Sequence, residues 1–423
     1  MLQVYRYLSY LLFPLLIILI YVRSIFKKED KVRFKEKIFS SHFNVQKNGK
    51  KKLIWFHAAS IGECLSVLPL INEISHKHRN INFLITTVTL SSSKLIERKL
   101  KQQHNIIHRF FPLDFENLAE NFLDAWRPDL ICFVDSEIWP NFLFKIKEKK
   151  ITLLLINARL TKKSFRKWKM VMNFAKKVFN NFDLCLTSSE ESKNNLVKLE
   201  VKNLKYIGNL KYSVQNTFDE IESENKKILN NYKTWCAAST HEGEELIVLK
   251  THLEIKKKYN NTLTVIIPRH IDRSLYIQNL SKKFNLISQI LNDDDLINPR
   301  SEILIINSFG VLPKYYNYCK NIFIGKSLIK EKQNVGGQNP IEAAKLGCKI
   351  FHGPYIYNFQ EIYERLKSYG ISEIINNEVE LAEKIIRNFS NPSVINQQQV
   401  NLLDEYGQQI LKETAAEMEM FLK

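Results

Sequence analysis

Leu53-Ile54-Trp55-Phe56-His57-Ala58-Ala59-Ser60-Ile61-Gly62-Glu63 passes from an apolar run through a small-residue turn to a carboxylate. It reads as a strand, a tight turn and a new helix. A second stretch of the same kind, Gly336-Gly337-Gln338-Asn339-Pro340-Ile341-Glu342, stands in the other half of the chain. There Asn339 is placed to cap, Pro340 to take the first helical position and Glu342 the third. In an open α/β sheet, ligands bind outside the carboxyl ends of the strands. One such motif in each half predicts two α/β domains facing each other across a cleft. One side would carry an acid/base group and the other a nucleotide grip.

The surrounding pattern agrees. Residues 53–56, 81–86, 130–134, 152–157 and 184–187 read as strands, with helical stretches between them at 91–101, 115–126 and 164–178. Such alternation means βαβ units and a parallel sheet. A polar stretch, 213–233, interrupts the series as a domain junction. A second series follows, with strands at 234–237, 262–267, 303–306, 321–324 and 349–352, loops at 259–262 and 291–300, and a closing helix over 394–422. The expected organisation is a membrane anchor at 1–23, a basic juxtamembrane segment at 24–50 and an N-terminal Rossmann-like domain at 51–212. A linker at 213–233, a C-terminal Rossmann-like domain at 234–393 and a terminal helix at 394–423 complete it.

The 423 residues suffice for two full cores. The formal net charge of +18 reads either as compositional drift toward Lys or as affinity for an anionic partner: lipid, phosphorylated substrate or nucleic acid. Six scattered cysteines without a Cys-x-x-Cys pair suit reduced, buried thiols rather than zinc or disulfides. No His-Glu-x-x-His, P-loop or Gly-x-Gly-x-x-Gly motif is present, so neither a P-loop ATPase nor a standard dinucleotide enzyme is supported.

From Tyr7 to Val22 the chain is uncharged and strongly apolar. This approaches the length of a membrane span, and Tyr5, Tyr7, Tyr10 and Tyr21 extend it as interfacial anchors. No small-x-small cleavage site follows. Arg23, Lys27, Lys28, Lys31, Arg33, Lys35 and Lys37 come next, against Arg6 before, so the expectation is one crossing with the body cytoplasmic. A buried core helix is the alternative.

Each chemical candidate has a plainer reading. Ser60 and Glu63 fit a capping box, while Glu63 also suits a general base at a cleft. Asp135-Ser136-Glu137-Ile138-Trp139-Pro140-Asn141 offers two carboxylates past a strand end, or only charge complementing a helix dipole. Lys211 in Gly208-Asn209-Leu210-Lys211 is a charge-balancing cation or a solvated lysine. Arg269 after 262–267 is a phosphate ligand or a surface arginine. Ser308-Phe309-Gly310 presents backbone N–H groups to an anion. Glu342 closes a cap or accepts from ribose hydroxyls.

Together these segments resemble the 3-deoxy-D-manno-octulosonic acid (Kdo) transferase family of lipid A biosynthesis. The resemblance runs from the N-terminal anchor to about Arg365. Besides the motifs quoted above, it rests on Asn157-Ala158-Arg159-Leu160, Ala238-Ser239-Thr240-His241-Glu242-Gly243-Glu244 and Pro268-Arg269-His270, in the family's order. It implies a GT-B glycosyltransferase fold and inverting transfer of Kdo from CMP-Kdo to a lipid A precursor, with no metal or other cofactor. It implies an enzyme anchored in the inner membrane with its catalytic domains on the cytoplasmic face, against anionic lipid and without nucleic acid. By resemblance Glu63 is the general base, and Glu137 and Lys211 stabilise the transition state. Pro268, Arg269, Phe309, Gly310, Val311, Asn339, Pro340, Ile341 and Glu342 bind CMP.

The chain departs from the family's pattern in three places. Val311 stands where a Glu is usual, Gln338 where a His is usual, and Lys326 where a Gly is usual in Gly325-Lys326-Ser327. A lysine there costs energy if the position needs φ > 0. Two other functions stay open: another GT-B nucleotide-sugar enzyme, such as a lipid A disaccharide synthase or an epimerase, and a membrane-tethered nucleic-acid-binding protein.

Overall fold

The computed structural model describes residues 1–45, 51–100, 105–214, 221–293, 295–308, 310–330, 336–391 and 397–422. The chain divides into two compact units, Met1–Val214 with Tyr406–Lys423, and Gln215–Glu405.

The first unit holds seven strands: β1 (Lys52–His57), β2 (Ile81–Thr87), β3 (Ile106–Phe110), β4 (Leu130–Val134), β5 (Thr152–Ala158), β6 (Leu184–Thr187) and β7 (Leu204–Tyr206). Their order is β3-β2-β1-β4-β5-β6-β7, and every pairing is parallel. A parallel sheet covered on both faces wants unbroken apolar strands, and all five residues of β4 are buried. The chain adds β2 and β3 on one side of β1, then returns to lay β4 on the other. The order therefore reverses between β1 and β4, where an open α/β sheet places its ligand. Behind the sheet lies an aromatic core in which Trp55 meets Phe122 at 4.8 Å and Phe133 at 5.7 Å.

The second unit repeats the plan with β8 (Lys233–Thr240), β9 (Thr262–Pro268), β10 (Ser288–Leu291), β11 (Ile303–Ile306), β12 (Asn321–Ile324), β13 (Lys349–His352) and β14 (Ser372–Ile374). The order is β10-β11-β9-β8-β12-β13-β14, again parallel throughout. Its reversal falls between β8 and β12.

Ten of these strands were expected. The other four are β3, which carries His108 and Arg109; β7 and β14, of three residues each; and β10, half polar. None has a long apolar run, and each is recruited by its neighbour in the sheet. The helix expected over 164–178 is two helices, Lys162–Lys169 and Met172–Phe179, broken where Val171 leaves helical geometry (φ −124°, ψ 44°). The last helix, Gln397–Glu419, starts in the second unit and finishes in the first. There Gly407 lies so close to Tyr212 that an added Cβ would stand 2.2 Å from the Tyr212 carbonyl oxygen. All six cysteines are free and buried. At the N-terminus the helix Leu2–Ile25 is, by length and composition, able to cross a membrane.

Candidate active site

In the first unit the loops after β1, β4 and β5 converge with Lys211. Ser60 caps the helix Ile61–Lys77 and its hydroxyl accepts from the Glu63 N–H at 3.4 Å. In return the Glu63 carboxylate accepts from the Ala59 N–H at 2.8 Å and from the Ser60 hydroxyl at 2.7 Å. The capping reading is therefore correct as geometry, with the return bond reaching one residue before the cap. It does not displace the chemical reading, because the same bonds hold a carboxylate with 9% exposure. Burial pushes Glu63 up to about 7, against the hydrogen bond from Ser60 and with help from the negative charges of Asp135 and Glu137.

The loop after β4 supplies Asp135 and Glu137. Glu137 Oε2 lies 3.3 Å from His57 Nε2 and accepts from the Trp139 indole N–H at 2.9 Å. Burial alone would raise Glu137. The His57 and Trp139 contacts together outweigh it and hold the carboxyl below the usual glutamate value. Asp135 Oδ2 lies 3.6 Å from Lys211 Nζ, while Oδ1 is buried without a hydrogen-bond partner. The helix-dipole reading of this loop fails on position. Pro140 does open the helix Pro140–Glu148, but the carboxylate that takes its first N–H groups is Asp114, from Asn141 at 3.1 Å and Phe142 at 3.0 Å. Asp135 and Glu137 are left to serve the loop.

Lys211 is placed by two asparagines. Asn157 Oδ1 accepts from the Leu210 N–H at 2.9 Å, and Asn209 Oδ1 from the Lys211 N–H at 3.0 Å. A Cβ on Gly62 would stand 3.9 Å from Lys211 Cε, so the lysine stem passes over the turn that presents Glu63. Glu63, Glu137 and Lys211 are thus brought together with His57, Asp135 and Asn157. His57, Asp135 and Asn157 all stood inside quoted motifs. Backbone conformation was the signal that distinguishes two of them: Asp135 (φ +61°) and Asn157 (φ +52°) sit in the left-handed region. Such strain collects at functional turns. Beside the cluster is a cavity of about 190 Å³ lined by Asp135, Ser136, Ile138, Arg159, Trp168 and Phe179, among others.

In the second unit Pro268 ends β9 buried, and Arg269 beyond it is exposed, its N–H bonded to the Thr240 carbonyl at 3.1 Å. Gly310 (φ +77°) has open space where a Cβ would be. Val311 precedes the short helix Leu312–Tyr316 and is buried. Phe309 lies outside the described residues. The helix after the Gly-Gly loop is Ile341–Lys345, so Pro340 is its cap and Glu342 its second residue, one place earlier than expected. Asn339 Oδ1 accepts from the Ile341 N–H at 3.2 Å, so Asn339 supplies a capping bond although Pro340 holds the cap position. Burial raises the Glu342 carboxyl.

Glu244, in the motif after β8, is a further residue that organises this unit. Its carboxylate accepts four backbone N–H groups: Lys326 at 2.7 Å, Ser327 at 2.9 Å, Leu328 at 3.1 Å and His241 at 3.0 Å. It thereby ties the loop after β8 to the turn after β12, across the reversal point of this sheet. Gly325 in that turn admits no side chain, since a Cβ would stand 2.5 Å from the Ser239 carbonyl. Lys326 is held at φ +57°, so the cost foreseen for a lysine at this position is incurred. Among the described residues no group of His, Cys, Asp and Glu is arranged to hold a metal ion.

Residues 33–214 match the family model described as 3-Deoxy-D-manno-octulosonic-acid transferase (kdotransferase). A 3-deoxy-D-manno-octulosonic acid transferase of Rickettsia bellii is 33% identical over 356 residues, covering 84% of this chain and 82% of the relative. The enzyme of that name from Haemophilus influenzae is 28% identical over 347 residues, 80% and 79% of the two chains. Among solved structures, a UDP-GlcNAc 2-epimerase from Neisseria meningitidis superimposes with a TM-score of 0.57 at 15% identity, over 88% of this chain and 99% of that one. At that identity the likeness shows the fold, two Rossmann-like units of the GT-B class. Two parallel sheets, each with its loops gathered at a strand-order reversal, and a 33% identical relative over most of the length together place this chain in the 3-deoxy-D-manno-octulosonic acid transferase family of glycosyltransferases.

Proposed function

We propose that this enzyme transfers Kdo from CMP-Kdo to a lipid A precursor in lipopolysaccharide synthesis, with inversion at the anomeric carbon. The observation that carries the reading is Glu63, a buried carboxylate held at about 7 at the reversal point of the first sheet. A base needs a pKa near the working pH, high enough to take a proton and low enough to be ionised. In the reaction an acceptor hydroxyl oxygen bonds to the anomeric carbon while the bond from that carbon to the phosphate oxygen breaks. Glu63 takes the hydroxyl proton, and CMP leaves with the bonding electrons. Asp135 Oδ1, buried and unpartnered, would accept a second acceptor hydroxyl, and the adjoining cavity has room for part of the acceptor.

Positive charge forms on the sugar ring as it becomes oxocarbenium-like. Glu137, kept ionised by His57 and Trp139, favours it, and Lys211 balances the surrounding carboxylates. In the second unit Arg269, the backbone at Gly310 and Val311, and the segment Asn339–Glu342 with Pro340 and Ile341 would hold the cytidylate, Pro268 fixing the start of the Arg269 turn. These fixed cations and N–H groups take the charge-stabilising role without a metal ion. The N-terminal helix would hold the enzyme on the cytoplasmic face of the inner membrane, where anionic lipid suits the +18 chain. Incubation with CMP-Kdo and a tetra-acylated lipid A precursor, followed by mass analysis, tests the proposal. Addition of one or more Kdo masses is the expected result. Turnover of UDP-sugars, with CMP-Kdo untouched, overturns it.

A further inference from the structure

The N-terminal helix does not stand clear of the first unit. In its first turns the Tyr5 hydroxyl donates to Asp114 at 2.7 Å, Arg6 pairs with Glu116 at 2.9 Å, and the Tyr10 hydroxyl donates to Asn117 at 3.3 Å. At mid-length Phe13 meets Phe115 edge-on at 4.3 Å. Toward the end Ile17 and Ile20 pack with Phe34 and Ile38, Tyr21 meets Phe34 at 5.0 Å, and Arg23 pairs with Glu29 at 2.8 Å. The contacts run from the first turn to the last.

The opposite face is bare. Val4, Leu8, Leu11, Leu15, Ile18 and Val22 are each between 41% and 77% exposed. Their spacing of three and four residues makes one continuous apolar stripe. No charged residue lies between Arg6 and Arg23, and Lys27, Lys28 and Lys31 stand exposed just beyond the helix.

A helix of 24 residues is about 36 Å long, against about 30 Å of bilayer hydrocarbon. If it crossed, its ends would lie on opposite sides of the hydrocarbon, and so would the parts of the body that touch them. That body presents Asp114, Glu116 and Glu29 to the helix, and ionised groups do not enter hydrocarbon without heavy cost. A docked helix and a crossing helix therefore exclude each other. We infer that this helix lies along the membrane surface, with its bare stripe sunk in the hydrocarbon of one leaflet and its other face fixed to the first unit. The occupant of the stripe is lipid, because the cations at its end complement anionic headgroups. The inference replaces the single crossing expected from the sequence, and it holds whichever sugar the enzyme moves.

The native cysteines are all buried, so Gln3→Cys, at an exposed position in the first turn, gives a topological reporter. The full-length variant in bacterial inner membranes is treated with a membrane-impermeant maleimide. Labelling in inverted vesicles, whose cytoplasmic face is outward, and none in spheroplasts is the expected result. Labelling in spheroplasts returns the crossing helix and overturns the inference. In a second arm, Leu11→Glu with Leu15→Glu leaves the docked face intact. It should reduce flotation of the purified chain with phosphatidylethanolamine–phosphatidylglycerol vesicles by about a hundredfold. Unchanged flotation, or a stripe protected in a detergent-free dimer that does not float, assigns the stripe elsewhere and overturns it.

Discussion

Replacing Glu63 by Gln should make the enzyme inactive and more stable at once. The carboxyl is raised from an ordinary 4.5 to about 7 in the folded chain. Between these values the folded state keeps a proton that the unfolded state has released, so stability falls as pH rises through the window. The loss is complete above about pH 7 and absent below about 4.5. At about 1.4 kcal/mol per pH unit it amounts to about 3 kcal/mol. Glutamine has the shape of the protonated acid and can still accept the Ala59 N–H, so it recovers this loss. Glu63→Gln should therefore exceed the parent by up to about 3 kcal/mol at pH 8, and by little near pH 4.5. Denaturant unfolding followed by tryptophan fluorescence is suited to the measurement, because Trp55, Trp126, Trp139 and Trp168 lie in the first unit and only Trp235 in the second. Transfer should vanish, and the parent's activity should rise with pH through an acid limb near 7 as Glu63 ionises. A variant less stable than the parent at pH 8 would show that the carboxylate serves as a cap anion. A variant with undiminished transfer would remove Glu63 from the chemistry.

Arg269→Ala should weaken CMP binding by about tenfold or more, the worth of a charge-assisted phosphate contact; unchanged affinity by calorimetry would take Arg269 out of the nucleotide site. Lys326→Gly should raise the stability of the second unit by up to about 1 kcal/mol, because relief of the left-handed lysine exceeds the added glycine entropy; a drop in melting temperature would count against strain at this turn. Glu244→Gln should destabilise by about 2–4 kcal/mol, since an NH₂ group replaces an oxygen facing backbone donors; an unchanged unfolding midpoint would mean that the four N–H bonds do not hold the turn.

Much of the architecture was legible along the chain. Leu130–Val134 and Thr262–Pro268 are buried strands of a parallel sheet, and the unbroken apolar run of the first and the β-branched, largely apolar run of the second say so. The strands without a local signal are those whose own residues carry little preference. β3 holds His108 and Arg109 because Arg33 reaches the His108 carbonyl at 3.1 Å and Arg109 bonds the Phe43 carbonyl at 3.1 Å, partners far off in sequence. The site divides in the same way. Ser60 and Glu63 declared their cap by spacing, and Lys326 its strain by standing in a glycine's place.

What the amino-acid order determined alone was the alternation of strands and helices, the turn chemistry of the two motifs and the apolar first segment. Each depends on neighbours a few residues away, so a short window contains its cause. Only the tertiary structure decided that Glu63, Asp135, Glu137 and Lys211 share one site, that Glu63 titrates near 7, and that the first helix is fixed along the body. A carboxylate's acidity follows from the water excluded around it and from charges brought in by other strands. Those strands lie side by side only once the sheet has assembled, which is why no local pattern announced them.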